Sequence, residues 1–201
     1  MMKVLIACEY SGVVRDAFIA RGHAAISCDL LPTDAEGPHY QGDIFDIENV
    51  HTFDLMVAHP PCTFLCSSGL HWNERVPGRA AMTEAALDFV QRLLDVPVPR
   101  IALENPVGCI STRIRKPDQY IHPHEFGHPE SKKTGLWLKG LPKLTPTNIC
   151  EPPGRRPNGA PQWLNQTASG QNNLPPSADR WKERAKTYAG IAAAMADQWG
   201  A

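Results

Sequence analysis

In the stretch DLMVAHPPCTFLCSSG, residues 54–69, a thiol stands behind two prolines, directly after an apolar segment that suits a buried strand of a parallel sheet. Proline cannot continue a strand ladder, so the strand ends there and Cys62 lies just past its carboxyl end. Open α/β sheets bind ligands along that edge. A second stretch, ALENPVG at 102–108, puts Glu104 and Asn105 at the end of another apolar run ahead of a proline. If the two strands are neighbours, a thiol and a carboxyl face one cleft, which is the pairing needed to attack a substrate and protonate it. A carboxyl partly desolvated there would have a raised pKa and could give up the proton. A structural Glu satisfied by backbone amides is the competing explanation.

Two further acids and a turn point to a small-molecule site on the same edge. ACEYSGVVRDAF runs from a strand into a helix through Ser11 and Gly12, a close-approach turn at a helix start. It lacks G-x-G-x-x-G, which disfavours a dinucleotide, and a plain tight turn would look the same. Asp29 ends the next strand, 17 residues after Gly12, where an acid can accept from ribose hydroxyls or simply be solvated. Asp43 in GDIFDI can meet a base edge or cap a turn. Metal chemistry is the weaker reading. Cys62 and Cys66 are separated by three residues where a zinc deaminase needs two, and the His122, His124 and His128 loop is interrupted by prolines.

The elements that must position these groups follow from the hydrophobic pattern. KVLIACEY (3–10) reads as a first strand, GVVRDAFIARG (12–22) as a helix and HAAISCDL as a second strand, a βαβ opening that implies a parallel sheet. DLMVAHP (54–60) and RIALENP (100–106) read as further strands around a helix at 79–95. GLWLKGL (135–141) suits a strand, 142–176 with its eight prolines reads as loop, and 178–199 reads as one terminal helix. The result is a doubly wound α/β core.

Composition fits one globular domain of 201 residues, 42% hydrophobic and 20% charged. There is no apolar run long enough to cross a membrane, and six irregularly spaced cysteines do not suggest a disulfide framework, so a cytoplasmic protein is expected. The net charge of −1 hides an asymmetry: residues 1–99 carry 6 Lys and Arg against 13 Asp and Glu, residues 100–201 carry 14 against 8. The second half is therefore the expected polyanion-facing side, with a merely solvated basic surface as the alternative.

Together these pieces resemble the C5-cytosine DNA methyltransferase family, especially its short phage and prophage members. ACEYSGVVRDAF is similar to the first cofactor motif, SCDLL to the acidic ribose position and GDI to the adenine-contacting acid. PPCTFLCSSG resembles the nucleophile loop, ENPVG the Glu-Asn motif, STRIR the Arg-x-Arg segment and AKTYAGIAAAMADQW the last motif. The resemblance covers nearly the whole chain, and Pro-Cys with a downstream Glu-Asn is its most specific part. It implies a Rossmann-like, S-adenosylmethionine-dependent methyltransferase fold acting on double-stranded DNA, with no obligate protein partner. Cys62 would attack C6 of a flipped cytosine, Glu104 would hold or protonate N3, and Arg113 and Arg115 would complete the catalytic set. Glu9, Ser11, Gly12, Asp29, Leu30, Asp43, Pro60 and Tyr188 would hold the cofactor.

The chain departs from the family in two motifs, with CEYSGVV in place of Phe-x-Gly-x-Gly and Ala-Gly-Ile in place of Gly-Asn-Ala-Val. Roughly 65 residues between Arg115 and the last helix leave room only for a reduced target-recognition insertion. The expected organisation is a core over 1–110, a small basic DNA-facing region over 111–176 and a returning helix over 177–201. PESKKTGLWLKGLPK supplies the expected DNA contacts Lys132, Lys133, Trp137 and Lys139. The same chemistry on RNA or a free nucleotide, and a non-catalytic binding module, are the other readings.

Overall fold

The computed structural model describes residues 1–178 and 180–201. The apolar run Val4–Ala7 forms most of β1 (Lys3–Ala7), and Leu55–Ala58 forms β4; each of these side chains is fully buried, as expected for strands covered on both faces. Between them lie α1 (Val13–Ala20), β2 (Ala24–Asp29) and β3 (His39–Gln41). After β4 come α2 (Ser67–Leu70), α3 (Arg79–Asp95), β5 (Arg100–Pro106), α4 (Ile110–Arg113), β6 (Gln119–Ile121) and β7 (Thr134–Lys139). Two-residue strands β8 (Gly154–Arg155) and β9 (Pro161–Gln162) pair within an otherwise irregular stretch, and α5 (Arg180–Ala185) and α6 (Ala189–Trp199) close the chain.

The sheet runs in the order β3-β2-β1-β4-β5-β7-β6, with β1 to β5 mutually parallel and β7 antiparallel to both of its neighbours. Apolar stripes cover both faces. Val14 and Phe18 of α1 pack with Ile191, Met195 and Trp199 of α6 on one side, and Leu87, Val90 and Leu93 of α3 pack on the other. This is the expected doubly wound, Rossmann-like architecture. The chain winds outward from β1 to β3 and then returns to β4, so the topological switch point falls between β1 and β4, where such sheets open a ligand crevice.

Two elements differ from the sequence reading. The first strand ends at Ala7 and not near Tyr10, because Cys8 takes a left-handed conformation (φ 58°), which a non-glycine residue adopts only at some cost. The expected single helix over 178–199, of which residue 179 lies outside the described residues, is two helices. Tyr188 is extended (ψ 136°), and its hydroxyl is drawn to the Glu130 carboxylate at 2.5 Å, which breaks the helix at Lys186–Tyr188. No helix among the described residues is long and apolar enough to cross a membrane.

Candidate active site

The loop after β4 is pinned from two sides. Leu65 is buried in the core, and the backbone turns back on itself through Leu65 and Cys66 amides donating to the Cys62 carbonyl, both at 3.0 Å. From α3, the Arg79 guanidinium donates to the Thr63 carbonyl and the Thr83 hydroxyl to the Phe64 carbonyl, each at 3.1 Å. From the other side, the segment after β5 zips onto the loop. Cys109 N donates to Leu65 O at 2.9 Å, Ser67 N to Val107 O at 3.0 Å, and Cys66 bridges Gly108. A Cβ on Gly108 would stand 1.9 Å from the Leu65 carbonyl oxygen, so only glycine permits this approach.

β4 and β5 are direct neighbours, with Ala58 beside Leu103, so Cys62 and Glu104 do face one edge. Asn105 is 1% exposed and donates to the Pro60 carbonyl at 2.8 Å, while Pro60 itself is buried. The thiol and the carboxylate are therefore held on elements tied to each other. Cys62 is half-buried. Its neighbour Cys66 and its own burial hold the thiol above its ordinary pKa, partly opposed by the Lys132 charge. Cys66 begins α2 and rests its sulfur 3.2 Å from the Ser68 hydroxyl.

For Glu104 the expectation is reversed. Burial acts to raise its pKa, but the hydrogen bond from His59, the Lys132 and His59 charges and the Thr134 hydroxyl outweigh it and hold the carboxyl below its ordinary value. Glu104 is thus a carboxylate that accepts, and it has no proton of its own to donate near neutral pH.

The expected cofactor residues distribute along the carboxyl edge. Glu9 is 4% exposed and accepts from the Val14 and Arg15 amides at 2.7 and 3.2 Å and from the Ser11 hydroxyl at 3.3 Å. A carboxylate therefore fills the α1 N-terminus, the place a phosphate would take in a nucleotide-binding turn. Gly12 begins α1 at φ 76°, and a Cβ there would meet the Arg15 guanidinium at 2.5 Å. Asp29 accepts from Leu31 N at 2.9 Å, and Asp43 caps the following turn through Phe45 N at 3.0 Å; the second oxygen of each has no protein partner among the described residues. Leu30 lies between them, 71% exposed.

A small, partly open cavity of about 50 Å³ sits at the switch point, lined by Cys8, Glu9, Ser11, His59, Lys186 and Thr187 among others. The strap Arg180–Thr187 roofs it. Tyr10 donates its hydroxyl to the Lys182 carbonyl at 3.4 Å, and Lys132 Nζ donates to the Arg184 carbonyl at 3.0 Å. Tyr188 does not line the cavity; its hydroxyl is committed to Glu130.

One of the expected DNA contacts is overturned, and a second lies far from Cys62. Trp137 is 1% exposed, packs in the core and donates its indole N–H to the Arg115 carbonyl at 2.7 Å, because β7 is an internal strand covered on both faces. Lys139 pairs opposite Ile101 at the start of β5, the edge away from Cys62, and its ammonium donates to Val96 O at 3.3 Å. Lys132 instead acts electrostatically on both Cys62 and Glu104, and Lys133 stays exposed beside the Tyr120 ring, 4.3 Å from its centroid. Arg113 and Arg115 are paired with Glu84 at 2.8 Å and Asp118 at 2.7 Å.

Residues not foreseen complete the site. His59, the first residue after β4, sets Nδ1 3.4 Å from Glu104 Oε2, and a polar residue right after a fully buried strand was the available signal. Arg15 is fully buried and binds Ser27 at 3.2 Å and the Glu36 carbonyl at 2.7 Å, fixing the loop beside Asp29; an arginine on an apolar helix face gave little warning. The His122 and His124 rings stack at 4.9 Å, His124 stacks on Trp163 at 4.2 Å, and His128 accepts from Gly190 N at 3.0 Å. No three His, Cys, Asp or Glu side chains among the described residues converge as a metal site.

No family model and no curated protein matches the chain. Among solved structures, it is similar to a protein described as a DNA modification methyltransferase encoded within a prophage (E. coli), at 13% identity and a TM-score of 0.46 over 75% of this chain and 52% of that one. It is similar to a Spodoptera frugiperda DNMT2 at 17% identity and a TM-score of 0.41 over 77% and 56%, and to the 16S rRNA methylase RmtB at 15% and 0.35 over 69% and 55%. The chain spans about half the length of these structures.

Proposed function

We propose that the chain is a DNA (cytosine-5)-methyltransferase acting on a cytosine flipped from the duplex through a covalent adduct at Cys62. The observation that carries this reading is the meeting of Cys62, Glu104 and Lys132 on one sheet edge, with Asn105 tying the two loops together. Attack by Cys62 forms a sulfur–C6 bond and pushes the C5–C6 π pair toward C5, and Glu104 meets the N3 edge of the ring. Lys132 favours the thiolate and offsets the negative charge gathered around the reacting ring. Departure of the C5 proton and of Cys62 restores the aromatic product. The prolines before Cys62 limit the freedom of the nucleophile, where about 1 Å of slack is expensive.

The residues along the edge fit S-adenosylmethionine. With Glu9 occupying the helix terminus, a phosphate is excluded, whereas a positively charged sulfonium suits an edge carrying Glu9, Asp29 and Asp43. Asp29 would hold the ribose hydroxyls, Leu30 and Asp43 the adenine, and the cavity at Ser11 and Lys186 the amino-acid end. When bound, the cofactor supplies the electrophilic methyl group. A ligand of this size needs a pocket of about 300 Å³ or more, so the strap Arg180–Thr187 must lift to admit it.

The test is bisulfite sequencing of plasmid from cells producing the protein. Protected cytosines in one recurring context are expected; complete conversion of plasmid DNA together with methylated cellular RNA would favour the RNA reading instead.

A further inference from the structure

The backbone after β4 brings two cysteines together. Cys66 N donates to the Cys62 carbonyl at 3.0 Å, which closes one turn of chain between them. Such a turn rises about 1.5 Å per residue, so the two Cα atoms stand about 6 Å apart, a spacing across which a disulfide can close. The shape is held from outside: Cys66 bridges Gly108, and Ser67 N donates to Val107 O at 3.0 Å. Both thiols are partly exposed, so a small solute reaches them.

The two sulfurs are in hydrogen-bonding contact, and the contact is unequal. Cys62 donates its thiol proton to Cys66. That bond, with the Ser68 hydroxyl at 3.2 Å and the Arg184 charge, outweighs partial burial and holds Cys66 well below the ordinary thiol pKa. Burial acts the other way at Cys8, Cys28 and Cys109, whose thiols it pushes up. An accessible thiolate beside a second, protonated thiol is the arrangement of a peroxide-reactive cysteine with its resolving partner. The methyl transfer makes no use of Cys66.

We propose that Cys66 is a second reactive site, whose sulfur reduces hydrogen peroxide and then bridges to Cys62. In the first step a sulfur–oxygen bond forms at Cys66, the peroxide O–O bond breaks, and hydroxide leaves and takes a proton from solvent. Cys66 is then a sulfenic acid. In the second step the Cys62 sulfur attacks the Cys66 sulfur, the S–S bond forms, the S–O bond breaks, and the hydroxyl departs with the Cys62 proton as water. The two thiols together lose two electrons, and the peroxide is reduced to two waters. A dithiol reductant reopens the bridge by exchange. The bridged form has no Cys62 thiolate to attack a ring, so it cannot methylate; this consequence, unlike the bridge itself, rests on the reading of Cys62 as the nucleophile.

The test is a small excess of hydrogen peroxide at neutral pH, followed by alkylation in denaturant and mass spectrometry of the tryptic peptide spanning 22–75, which contains Cys28, Cys62 and Cys66. In the wild type this peptide should lose the alkyl groups of Cys62 and Cys66, keep that of Cys28, and regain both after dithiothreitol. Cys66→Ser should keep Cys62 alkylated at the same dose, and Cys66→Ala serves if that variant does not fold. Retention of all three alkyl groups by the wild type, a bridge that includes Cys28, or loss of Cys62 alkylation in the Cys66 variants would overturn the inference. Oxidised wild type should also trap no duplex carrying 5-fluorocytosine until it is reduced. A mapped bridge in a protein that traps none even after reduction would remove the nucleophile reading and leave the bridge standing.

Discussion

Asn105 Nδ2 donates to the Pro60 carbonyl at 2.8 Å from a fully buried position, so the strand end that carries Glu104 is fastened to the loop that carries Cys62. Neither side chain can shift without the other. Replacing Asn105 with Ala leaves a buried carbonyl unpaired and should cost about 1–3 kcal/mol. Urea unfolding should show this loss, and turnover should fall by more than cofactor affinity, since the cofactor edge is not touched. A variant with wild-type turnover would show that the tether does not set the catalytic geometry.

Gly108→Ala tests the same junction from the backbone. Its Cβ would have to displace the Leu65 carbonyl, so a destabilisation of about 1–3 kcal/mol is expected from overpacking. The measurement is the unfolding midpoint at constant denaturant slope. A neutral substitution would mean that the loop of Cys62 is looser than its hydrogen bonds imply.

The sheet edge was readable from the sequence because fully buried parallel strands are unbroken apolar runs ended by prolines. That pattern put Cys62 and Glu104 on the carboxyl edge, and helical spacing marked the helix Arg79–Asp95. What it could not carry was the environment of each polar group. Glu104 was expected to hold a proton because burial was legible, whereas His59 after β4 and Lys132 and Thr134 at the start of β7 reach it from two other segments. Trp137 was assigned to a DNA surface from a basic sequence neighbourhood, yet strand alternation and an internal strand position bury it. The break before Tyr188 depends on Glu130, more than fifty residues away, and no local helix signal reports it.

The ionised state of Glu104 has a sign that can be checked. Its folded-state pKa lies below the ordinary value of 4.5, so its contribution to stability is present above that value and is lost as pH falls through the lower, folded value. The stability gap between wild type and Glu104→Gln should therefore hold steady down to about the ordinary carboxyl pKa and narrow below it. Denaturant unfolding across an acid pH series reads the gap. A gap that widens with acid would mean that Glu104 is protonated in the folded protein.

Lys133 and Lys139 should behave differently toward DNA. Losing the exposed Lys133 should lower the slope of log affinity against log salt by about 0.9, the effect of one phosphate contact. Lys139→Ala should leave the slope unchanged, because its ammonium lies at the opposite edge against Val96. Equal losses in both variants would place the duplex on a different face.

Asp29→Ala should weaken S-adenosylhomocysteine binding by about tenfold or more, the effect of removing a charged hydrogen-bond acceptor from ribose hydroxyls. Calorimetry measures it. Unchanged affinity would move the cofactor off this edge.

The central claim is that Cys62 adds to the ring, and a duplex carrying 5-fluorocytosine at the target position tests it most directly. Fluorine cannot leave as the C5 proton does, so one methyl transfer should trap the protein on DNA as an adduct that survives a denaturing gel and requires S-adenosylmethionine. Cys62→Ala should form none while still binding cofactor, and Cys66→Ala should form it, since the proposed reading gives the attack to Cys62 and leaves Cys66 as the cap of α2. An adduct in Cys62→Ala, or its loss in Cys66→Ala alone, would contradict the assignment of the nucleophile.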